Sequence, residues 1–481
     1  MPDTHMPDQM TQLIATLRGI VGERGLLTDP QDTAAYAQDW RKLFQGRTAA
    51  VVRPASTAEV ASVVMACAAA GVPVVPQGGN TSMVAGATPP MDGSAVVLSL
   101  ARLNRVRAVD AVDLTLTVEA GVTLKASQMA AAEAGCLLPL SISSEGTAQI
   151  GGVLATNAGG NNTVRYGNAR DLVLGLEVVM ADGTVWEGLR ALRKDNTGYC
   201  LRQLFVGSEG TLGVITAAVL KLVPQPCERE VALCAVASPA AALALFTRLN
   251  RHDPAAIQAF EYMSDAGMAF VLRHIPGAVL PVAPAPHYAL VELATPRAGA
   301  GLRESLEQLL TAAMEEELVS DAVIGESEAQ RAALWKLREE HAEAQKREGA
   351  SVKNDVSVPV SRVPELLERA AVAAEALMPG MRMVPFGHMG DGNIHLNFEQ
   401  PVDMDGAAFL AKDHAIMDMV GDIVKALGGS FSAEHGVGML KPYMMESWRG
   451  GAELEAMRRI KQALDPMGIL NPGKVLPPAA G

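Results

Sequence analysis

The order of apolar and polar positions gives the first half of the chain a pattern of short strands, a few helices and many glycines. Ser56 and Glu59 begin one helix with a capping-box pattern, which fixes its start. Leu114, Leu116 and Val118 alternate with polar residues and predict a strand with one buried face. The predicted strands are 51–54, 72–75, 95–100, 114–119, 172–180, 184–187 and 214–223, and the predicted helices are 10–22, 57–70 and 124–134.

Longer amphipathic helices alternate with apolar strands in the second half, which begins at the turn-forming segment 224–226. Ser238 followed by Pro239 is typical of a helix start. This order suits two strand–helix–strand passes on one sheet. The predicted helices are 239–249, 302–317, 326–347, 363–377, 407–427 and 453–464, and the predicted strands are 231–236, 288–293, 383–386 and 394–398.

Composition narrows the class of protein. The chain has 481 residues and a formal net charge of −13, which argues against nucleic acid or an anionic membrane as the main partner. Its 49% hydrophobic residues exclude global disorder. Five cysteines without a CxxC pair indicate a reducing compartment. Residues 1–17 contain no apolar core of a signal peptide, so we expect a cytoplasmic protein.

Three glycine-rich segments stand out in the first half: 76–82, 146–162 (followed by Tyr166-Gly167) and 207–213. The first follows a predicted buried strand, and its exposed backbone N–H groups with the Thr81 and Ser82 hydroxyls suit a pyrophosphate, although by itself it also fits a tight turn. None of the three is a Walker A loop or a Rossmann fingerprint. Together they favour a large, extended cofactor over a mononucleotide.

Histidines and carboxylates form the second candidate site. Asp391-Gly392 predicts a hairpin that places His388 and His395 on paired strands. Two histidines and Glu434 are a common ligand set for a divalent ion, zinc by default. We expect His435 to point away from its neighbour Glu434 and to act as a base. Each of these histidines also fits an ordinary hydrogen-bonded structural role.

A cationic pair fits a substrate that bears a carboxylate. Arg338 shares a predicted helix face with Trp335, Ala342 and Gln345, and Lys353 lies in an alternating segment. A guanidinium and an ammonium together would hold a carboxylate, whereas helix charges are otherwise mostly solvated surface.

These motifs, in this order and with the terminal segment 471–474, resemble the FAD-linked D-2-hydroxyacid dehydrogenases of the vanillyl-alcohol-oxidase superfold. The resemblance covers roughly residues 34–475 and is strongest to the D-2-hydroxyglutarate and D-lactate dehydrogenases, and the segments 39–42 and 343–346 favour the D-2-hydroxyglutarate branch. It implies an α+β fold: a two-part FAD-binding domain at 1–224, a ferredoxin-like substrate-binding domain at 225–425, and a C-terminal segment at 426–481 that returns to the FAD domain.

The resemblance also assigns roles to residues. It makes His388, His395 and Glu434 ligands of Zn²⁺ or another divalent metal, and His435 the catalytic base. It makes Arg338, Lys353 and Asn397, with His435, substrate-binding. FAD is expected to be noncovalent, because no histidine occurs between His5 and His252. The expected FAD-binding residues are Pro76, Gln77, Gly78, Gly79, Asn80, Thr81, Ser82, Ser144, Glu145, Gly146, Thr147, Ile150, Gly151, Gly152, Ala155, Thr156, Asn157, Gly159, Gly160, Tyr166, Gly167, Glu209, Gly210, Gly213, Ile215 and Asn471.

The implied activity is FAD-dependent oxidation of a D-2-hydroxyacid, D-2-hydroxyglutarate being favoured, to the 2-oxoacid. Ala342 departs from the hydroxyl residue that hydroxyglutarate enzymes often carry there, so D-lactate or glycolate dehydrogenase stays an alternative. Two further alternatives are a FAD-binding subunit of a multi-subunit oxidase and a metal-dependent hydrolase that uses the His/His/Glu site alone. The expected partners are a small 2-hydroxyacid, an electron-transfer flavoprotein or a quinone-linked acceptor, and a second copy in a homodimer.

Overall fold

The computed structural model describes residues 6–478, with side chains from residue 9 onward. Residues 1–5, which include His5, and 479–481 lie outside the described residues, as do the corresponding ends of the predicted 1–224 and 426–481 segments. The chain forms two compact units. Unit 1 comprises 6–158, 168–225 and 434–478, and unit 2 comprises 159–167 and 226–433.

Both units contain β-strands, numbered here in chain order. They are β1 (Leu26–Leu27), β2 (Val51–Val52), β3 (Val74–Gln77), β4 (Val96–Ser99), β5 (Val106–Asp110), β6 (Thr115–Glu119), β7 (Cys136–Leu137), β8 (Val173–Val179), β9 (Val185–Gly188), β10 (Val214–Lys221), β11 (Val223–Pro224), β12 (Glu228–Val236), β13 (Ile257–Ser264), β14 (His287–Thr295), β15 (Val319–Ile324), β16 (Ser351–Val352), β17 (Asp355–Ser357), β18 (Arg382–Gly387) and β19 (Asn393–Glu399).

The α-helices are distributed over the whole described chain. They are α1 (Met6–Val21), α2 (Pro30–Ala37), α3 (Thr57–Ala69), α4 (Leu124–Glu133), α5 (Ile150–Ala155), α6 (Thr163–Tyr166), α7 (Ala169–Leu172), α8 (Arg202–Phe205), α9 (Pro239–His252), α10 (Asp265–His274), α11 (Leu302–Glu315), α12 (Glu328–Glu339), α13 (His341–Glu348), α14 (Val363–Leu377), α15 (Gly406–Leu410), α16 (Asp413–Ala426), α17 (Met445–Arg449) and α18 (Ala452–Leu464). Among the described residues, no helix is both long and apolar enough to cross a bilayer.

Unit 1 is built on two sheets. The first has the strand order β1-β2-β4-β3, and α1 and α3 contribute to the apolar core that includes it. The second is antiparallel, with the order β5-β6-β10-β8-β9. The C-terminal segment runs beside β3, where Val74 donates its N–H to Ile469 O and accepts from Asn471 N, both at 2.8 Å.

Unit 2 is built on one antiparallel sheet with the order β15-β12-β14-β13-β18-β19-β16, and β17 also pairs with β19. The first four strands, with α9 and α11 as connections, have the split β-α-β arrangement of ferredoxin-like folds. Helices α10, α12 and α13 share an apolar core with strands of this sheet. The α+β fold class is confirmed.

The helix starts follow the sequence signals. Ser56 Oγ accepts from Glu59 N at 3.2 Å while Glu59 Oε2 accepts from Ala55 N at 2.8 Å. Ser238 Oγ accepts from Ala241 N at 3.1 Å. Caps of this kind contribute about 1 kcal/mol each, because they satisfy N–H groups that have no partner inside the helix. The bounds of α14 agree with the predicted helix at both ends.

Several elements differ from the sequence prediction. The predicted helix 326–347 is two helices, α12 and α13, separated at Glu340. Strands β5, β13 and β15 and helix α10 were not predicted. Strand β6 is buried on both faces rather than one, and its Glu119 accepts from Arg105 at 2.8 Å, which compensates for burying a carboxylate.

The unit boundaries also fall at other residues than the domain limits we predicted. Unit 2 ends at 433 rather than 425, since α16 packs against α14 and Ser430 pairs with Ser357. Residues 159–167, which we placed in the FAD-binding domain, lie in unit 2, where α6 packs against β13.

Candidate functional site

The three glycine-rich segments of unit 1 pack directly on one another. A Cβ added to Gly78 would lie 3.4 Å from Gly152 N, and one added to Gly79 would lie 2.0 Å from Thr147 O. A Cβ on Gly210, whose φ is +71°, would lie 3.2 Å from the Pro76 ring. Glycine is therefore required at position 79, where a Cβ would overlap the Thr147 backbone, and it is favoured at position 210 by the positive φ. The loops that sequence reasoning assigned to one cofactor are close together.

Asn471 joins the C-terminal segment to the same region. Its Nδ2 donates to Gly86 O at 2.9 Å and to Glu209 O at 2.6 Å. Its Oδ1 is buried and has no hydrogen-bond partner among the described residues. Because a buried acceptor without a donor is costly, this oxygen is a fitting contact for a bound cofactor.

These features fit FAD in unit 1. Gly146 and Gly152 have open space where a Cβ would stand, as a site that receives a flat ligand requires. Gln149 Oε1, next to them, is a second buried acceptor without a partner among the described residues. A cofactor as long as FAD suits three adjoining loops better than a mononucleotide would.

The structure uses several of the expected FAD residues for contacts within the protein. Asn80 Nδ2 donates to Gln38 O at 2.9 Å. Glu145 accepts from Lys125 and Gln128 at 3.1 and 2.9 Å. Tyr166 and its neighbours Gly159, Gly160 and Gly167 lie in unit 2. Their direct contact with FAD stays a prediction.

Glu209 has a defined structural contact with the loop that carries His435. Its two carboxylate oxygens accept from Val437 N at 2.7 Å and Gly438 N at 2.9 Å. Burial raises the pKa of Glu209, and these backbone hydrogen bonds oppose that shift. The carboxylate thus holds the 434–438 loop, a role that sequence reasoning did not assign to it.

Unit 2 brings Arg338 and His388 together through a buried carboxylate. Glu261, on β13, is 1% exposed. Its Oε2 accepts from Arg338 Nε at 2.5 Å and its Oε1 lies 2.7 Å from His388 Nδ1. A predicted substrate-binding residue and a predicted metal ligand therefore share one anion.

The residues around Glu261 shift the pKa of its carboxyl group strongly. Burial by itself would raise the pKa of Glu261, but the electrostatic effects of Arg338 and His388 and their hydrogen bonds lower it to about 2. The guanidinium of Arg338 also lies over the Phe386 ring, 4.9 Å from its centroid. Arg338 is 6% exposed, so it is not the solvated helix charge that was the alternative reading.

The two histidines lie at the hairpin formed by β18 and β19. His395 is on β19, as predicted, but His388 follows the end of β18 and begins a short 3-10 turn. Their rings are 5.6 Å apart between centroids. His395 Nδ1 lies 4.0 Å from Asp355 Oδ1, on the paired strand β17.

Gln345 connects the other two predicted substrate residues. Its Oε1 accepts from Asn397 Nδ2 at 2.9 Å and from Lys353 Nζ at 3.5 Å. Its Nε2 is buried without a partner among the described residues. Ala342 is exposed, so the prediction that it shares the face of Trp335 and Arg338 is wrong, because the helix is interrupted at Glu340.

Glu434 and His435 begin the last segment of unit 1. The loop is a series of bends rather than a strand, so side-chain alternation does not apply to it. Glu434 Oε1 lies 3.4 Å from His435 Nε2. The expectation that these neighbours point apart is therefore wrong, and the imidazole has a carboxylate beside it.

The donor chemistry in unit 2 fits a divalent cation. With Nδ1 of His388 facing Glu261, its Nε2 is the nitrogen that would face a metal, the usual carboxylate–histidine arrangement. His395 and Asp355 add a second imidazole and a carboxylate. Imidazole and carboxylate together suit zinc and similar ions.

Sequence reasoning missed Glu261, Asp355 and Gln345. A signal for Glu261 was present, since it is the one charged residue between Ala259 and Met263 in an apolar stretch, and such a charge is buried only when paired. Asp355 and Gln345 carried no comparable signal. Their roles depend on partners that are distant along the chain.

Two families of known proteins match this chain. Residues 48–188 match the FAD binding domain, and residues 225–475 match the C-terminal domain of FAD linked oxidases. D-2-hydroxyglutarate dehydrogenase of Xanthomonas citri pv. viticola is 39% identical over 464 residues, which is 96% of each chain. The mitochondrial D-2-hydroxyglutarate dehydrogenase of Bos taurus is 39% identical over 469 residues, 96% of this chain and 83% of the relative.

Solved structures show the same fold at low identity. p-Cresol methylhydroxylase with substrate bound has a TM-score of 0.73 at 16% identity and covers 98% of both chains. 4-Ethylphenol oxidase from Gulosibacter chungangensis has a TM-score of 0.72 at 19% identity and covers 99% of both. The expected vanillyl-alcohol-oxidase type of fold is confirmed.

Proposed function

The chain belongs to the FAD linked oxidases and is an FAD-dependent oxidoreductase acting on CH–OH groups, and from this premise we propose that it oxidises D-2-hydroxyglutarate to the 2-oxoacid. The relatives named D-2-hydroxyglutarate dehydrogenase support the substrate class. The observation that carries the proposal is the buried link from Arg338 through Glu261 to His388. It joins the proposed carboxylate-binding cation to the proposed metal-binding imidazole. A 2-hydroxyacid needs the first group for its carboxylate and the second, through the metal, for its hydroxyl group.

The protein's part in the redox step is to hold the cofactor and the substrate. We propose that the glycine loops of unit 1 and Asn471 bind noncovalent FAD. When bound, FAD supplies flavin N5 as the acceptor of the hydride from C2 of the substrate. The close-packed glycines let backbone N–H groups face the cofactor, and the buried Asn471 Oδ1 supplies an acceptor.

The residues proposed to bind the substrate are two cations and one amide of unit 2. Arg338, Lys353 and Asn397 would hold a carboxylate of the substrate and thereby orient the C2 atom of the substrate. Arg338 is already fixed by Glu261 and by the Phe386 ring, so little conformational entropy is lost when it binds. Lys353 and Asn397 are tied to the same amide oxygen of Gln345, which keeps two donors side by side. Fixed donors of this kind contribute to rate by orientation.

Proton removal is assigned to His435. His388, His395 and Glu434 are the residues that would hold Zn²⁺ or another divalent ion, which supplies Lewis acidity that lowers the pKa of the substrate hydroxyl. His435, whose Nε2 lies 3.4 Å from Glu434 Oε1, takes the hydroxyl proton.

The proposal also covers the electron acceptor, the oligomeric state and the location of the protein. The electron acceptor would be an electron-transfer flavoprotein or a quinone-linked protein, and the protein would be a cytoplasmic homodimer. D-lactate or glycolate is the alternative substrate within the family, and a FAD-binding subunit of a multi-subunit oxidase is the alternative role.

The decisive experiment is anaerobic reduction of the purified protein by a panel of hydroxyacids. We expect a yellow protein whose flavin is bleached fastest by D-2-hydroxyglutarate, more slowly by D-malate, D-lactate and glycolate, and hardly at all after a chelator removes the metal. Fastest bleaching by D-lactate or glycolate would favour the alternative substrates. A yellow protein that none of them reduces would favour the subunit role.

A matched pair of variants tests the substrate cation. Arg338→Lys keeps the charge but loses the planar fork, and we expect a large rise in KM for the hydroxyacid. Arg331→Lys is the control, because Arg331 lies on the same helix α12 but pairs with Glu230 at 3.1 Å. We expect its KM to equal that of the wild type. Equal effects of both variants would contradict the assignment of Arg338.

A further inference from the structure

Glu261 is the group that connects two parts of the proposed site within unit 2. Its carboxylate has two oxygens, and each has a different donor: Arg338 Nε on one and His388 Nδ1 on the other, at 2.5 and 2.7 Å. The donors are separated along the chain by 50 residues, on α12 and after β18. The residue itself is 1% exposed and held in β13, between β14 and β18.

We propose that Glu261 is a positioning residue that makes metal binding and substrate binding depend on one another. The inference rests on the proposed function. The Oε1 hydrogen bond fixes the His388 ring so that Nε2 is the metal-facing nitrogen, and it increases the basicity of that nitrogen. The Oε2 hydrogen bond fixes the Arg338 guanidinium for a carboxylate. A shift of the carboxylate therefore moves both groups.

The chemistry of the three groups explains why an isosteric amide cannot replace the carboxylate. Arg338 Nε and His388 Nδ1 are both donors in this arrangement, and glutamine has one acceptor atom and one donor group. One of the two partners must then face an N–H₂ group and move. Aspartate keeps both acceptors, but it is shorter by one methylene and cannot reach two donors at 2.5 and 2.7 Å without moving one of them.

Glu292 offers a matched control on the neighbouring strand β14. It is 3% exposed, and it accepts from Arg229 at 2.8 Å, from Gln258 at 2.7 Å and from Trp335 at 2.5 Å. It is thus another buried, hydrogen-bonded glutamate of the same sheet, but it contacts no predicted ligand of metal or substrate. Removing its charge measures the structural cost alone.

The experiment compares wild type, Glu261→Gln, Glu261→Asp and Glu292→Gln, each as full-length protein with FAD bound. Metal is stripped with a chelator, and the affinity for Zn²⁺ is measured by competition with a coloured chelator, without any substrate. We expect Glu261→Gln to weaken Zn²⁺ binding roughly 10- to 100-fold. After saturation with Zn²⁺, we expect its KM for D-2-hydroxyglutarate to rise as well. Glu292→Gln should lower the melting temperature but leave both quantities at the wild-type value.

The outcomes separate this inference from the proposed function. Wild-type Zn²⁺ affinity and KM in both Glu261 variants would overturn the role of Glu261 and leave the proposed function standing. Parallel losses in Glu261→Gln and Glu292→Gln would also overturn it, because the effect would then be a general cost of disturbing the sheet. A wild-type protein that binds no divalent cation would overturn the metal site and the role of Glu261 together.

Discussion

Replacing Glu399 by glutamine should stabilise the protein at alkaline but not at acidic pH. Glu399 ends β19, it is 0% exposed, and neither of its carboxylate oxygens has a hydrogen-bond partner among the described residues. Burial raises its pKa to about 7, against the opposing charges of Lys353 and Arg382, while the nearby carboxylate of Glu348 adds to the rise. The folded protein therefore favours the neutral acid.

The magnitude follows from the difference between the folded and unfolded pKa. A rise from 4.5 to about 7 corresponds to about 3 kcal/mol, since each pKa unit is worth about 1.4 kcal/mol. The folded pKa is raised, so the favourable contribution is fully present below about pH 4.5 and is lost as the pH rises to about 7. Glutamine is neutral at every pH and avoids that loss. At about pH 8 the variant should be more stable by up to about 3 kcal/mol.

The assay is urea unfolding of wild type and Glu399→Gln at about pH 5 and about pH 8. Glu368→Gln is the control, because Glu368 is an exposed glutamate on α14 of the same unit. We expect the difference in the free energy of unfolding between Glu399→Gln and wild type to grow with pH, and that for Glu368→Gln to stay near zero. A difference for Glu399→Gln that is independent of pH would refute the reasoning.

Three further substitutions test the site. His435→Ala should keep its FAD but slow single-turnover flavin reduction by about 10²- to 10⁴-fold; wild-type reduction in a stopped-flow trace would remove His435 from the mechanism. Gly79→Ala places a Cβ 2.0 Å from Thr147 O, so the protein should purify without flavin absorbance, and normal FAD content would contradict the packing of the loops. Glu209→Ala leaves two N–H groups of the 434–438 loop unpaired, at a cost of about 1–3 kcal/mol each; an unchanged melting temperature would show that this contact contributes little.

Local signals in the sequence predicted much of the secondary structure and picked out the glycine-rich segments that the structure packs together. Helix α14 and the starts of α3 and α9 follow from apolar spacing and from capping residues, which act within a few positions of the chain. The glycine-rich segments indicated an extended cofactor, because only glycine tolerates backbones as close as Gly79 and Thr147. The motif order indicated the family, which the comparisons confirmed.

Tertiary structure decided the partners of the buried charged residues. Strand β13 is buried on both faces, so it lacks the alternation that reveals a half-buried strand, and its Glu261 finds donors on α12 and after β18. Residues 159–167 look like part of a glycine-rich cofactor segment in the sequence, yet they pack in unit 2. Local patterns determine helices, turns and close backbone approach, since these depend on neighbouring residues. A buried charge is stable only with an opposite partner, and that partner is brought to it by the fold.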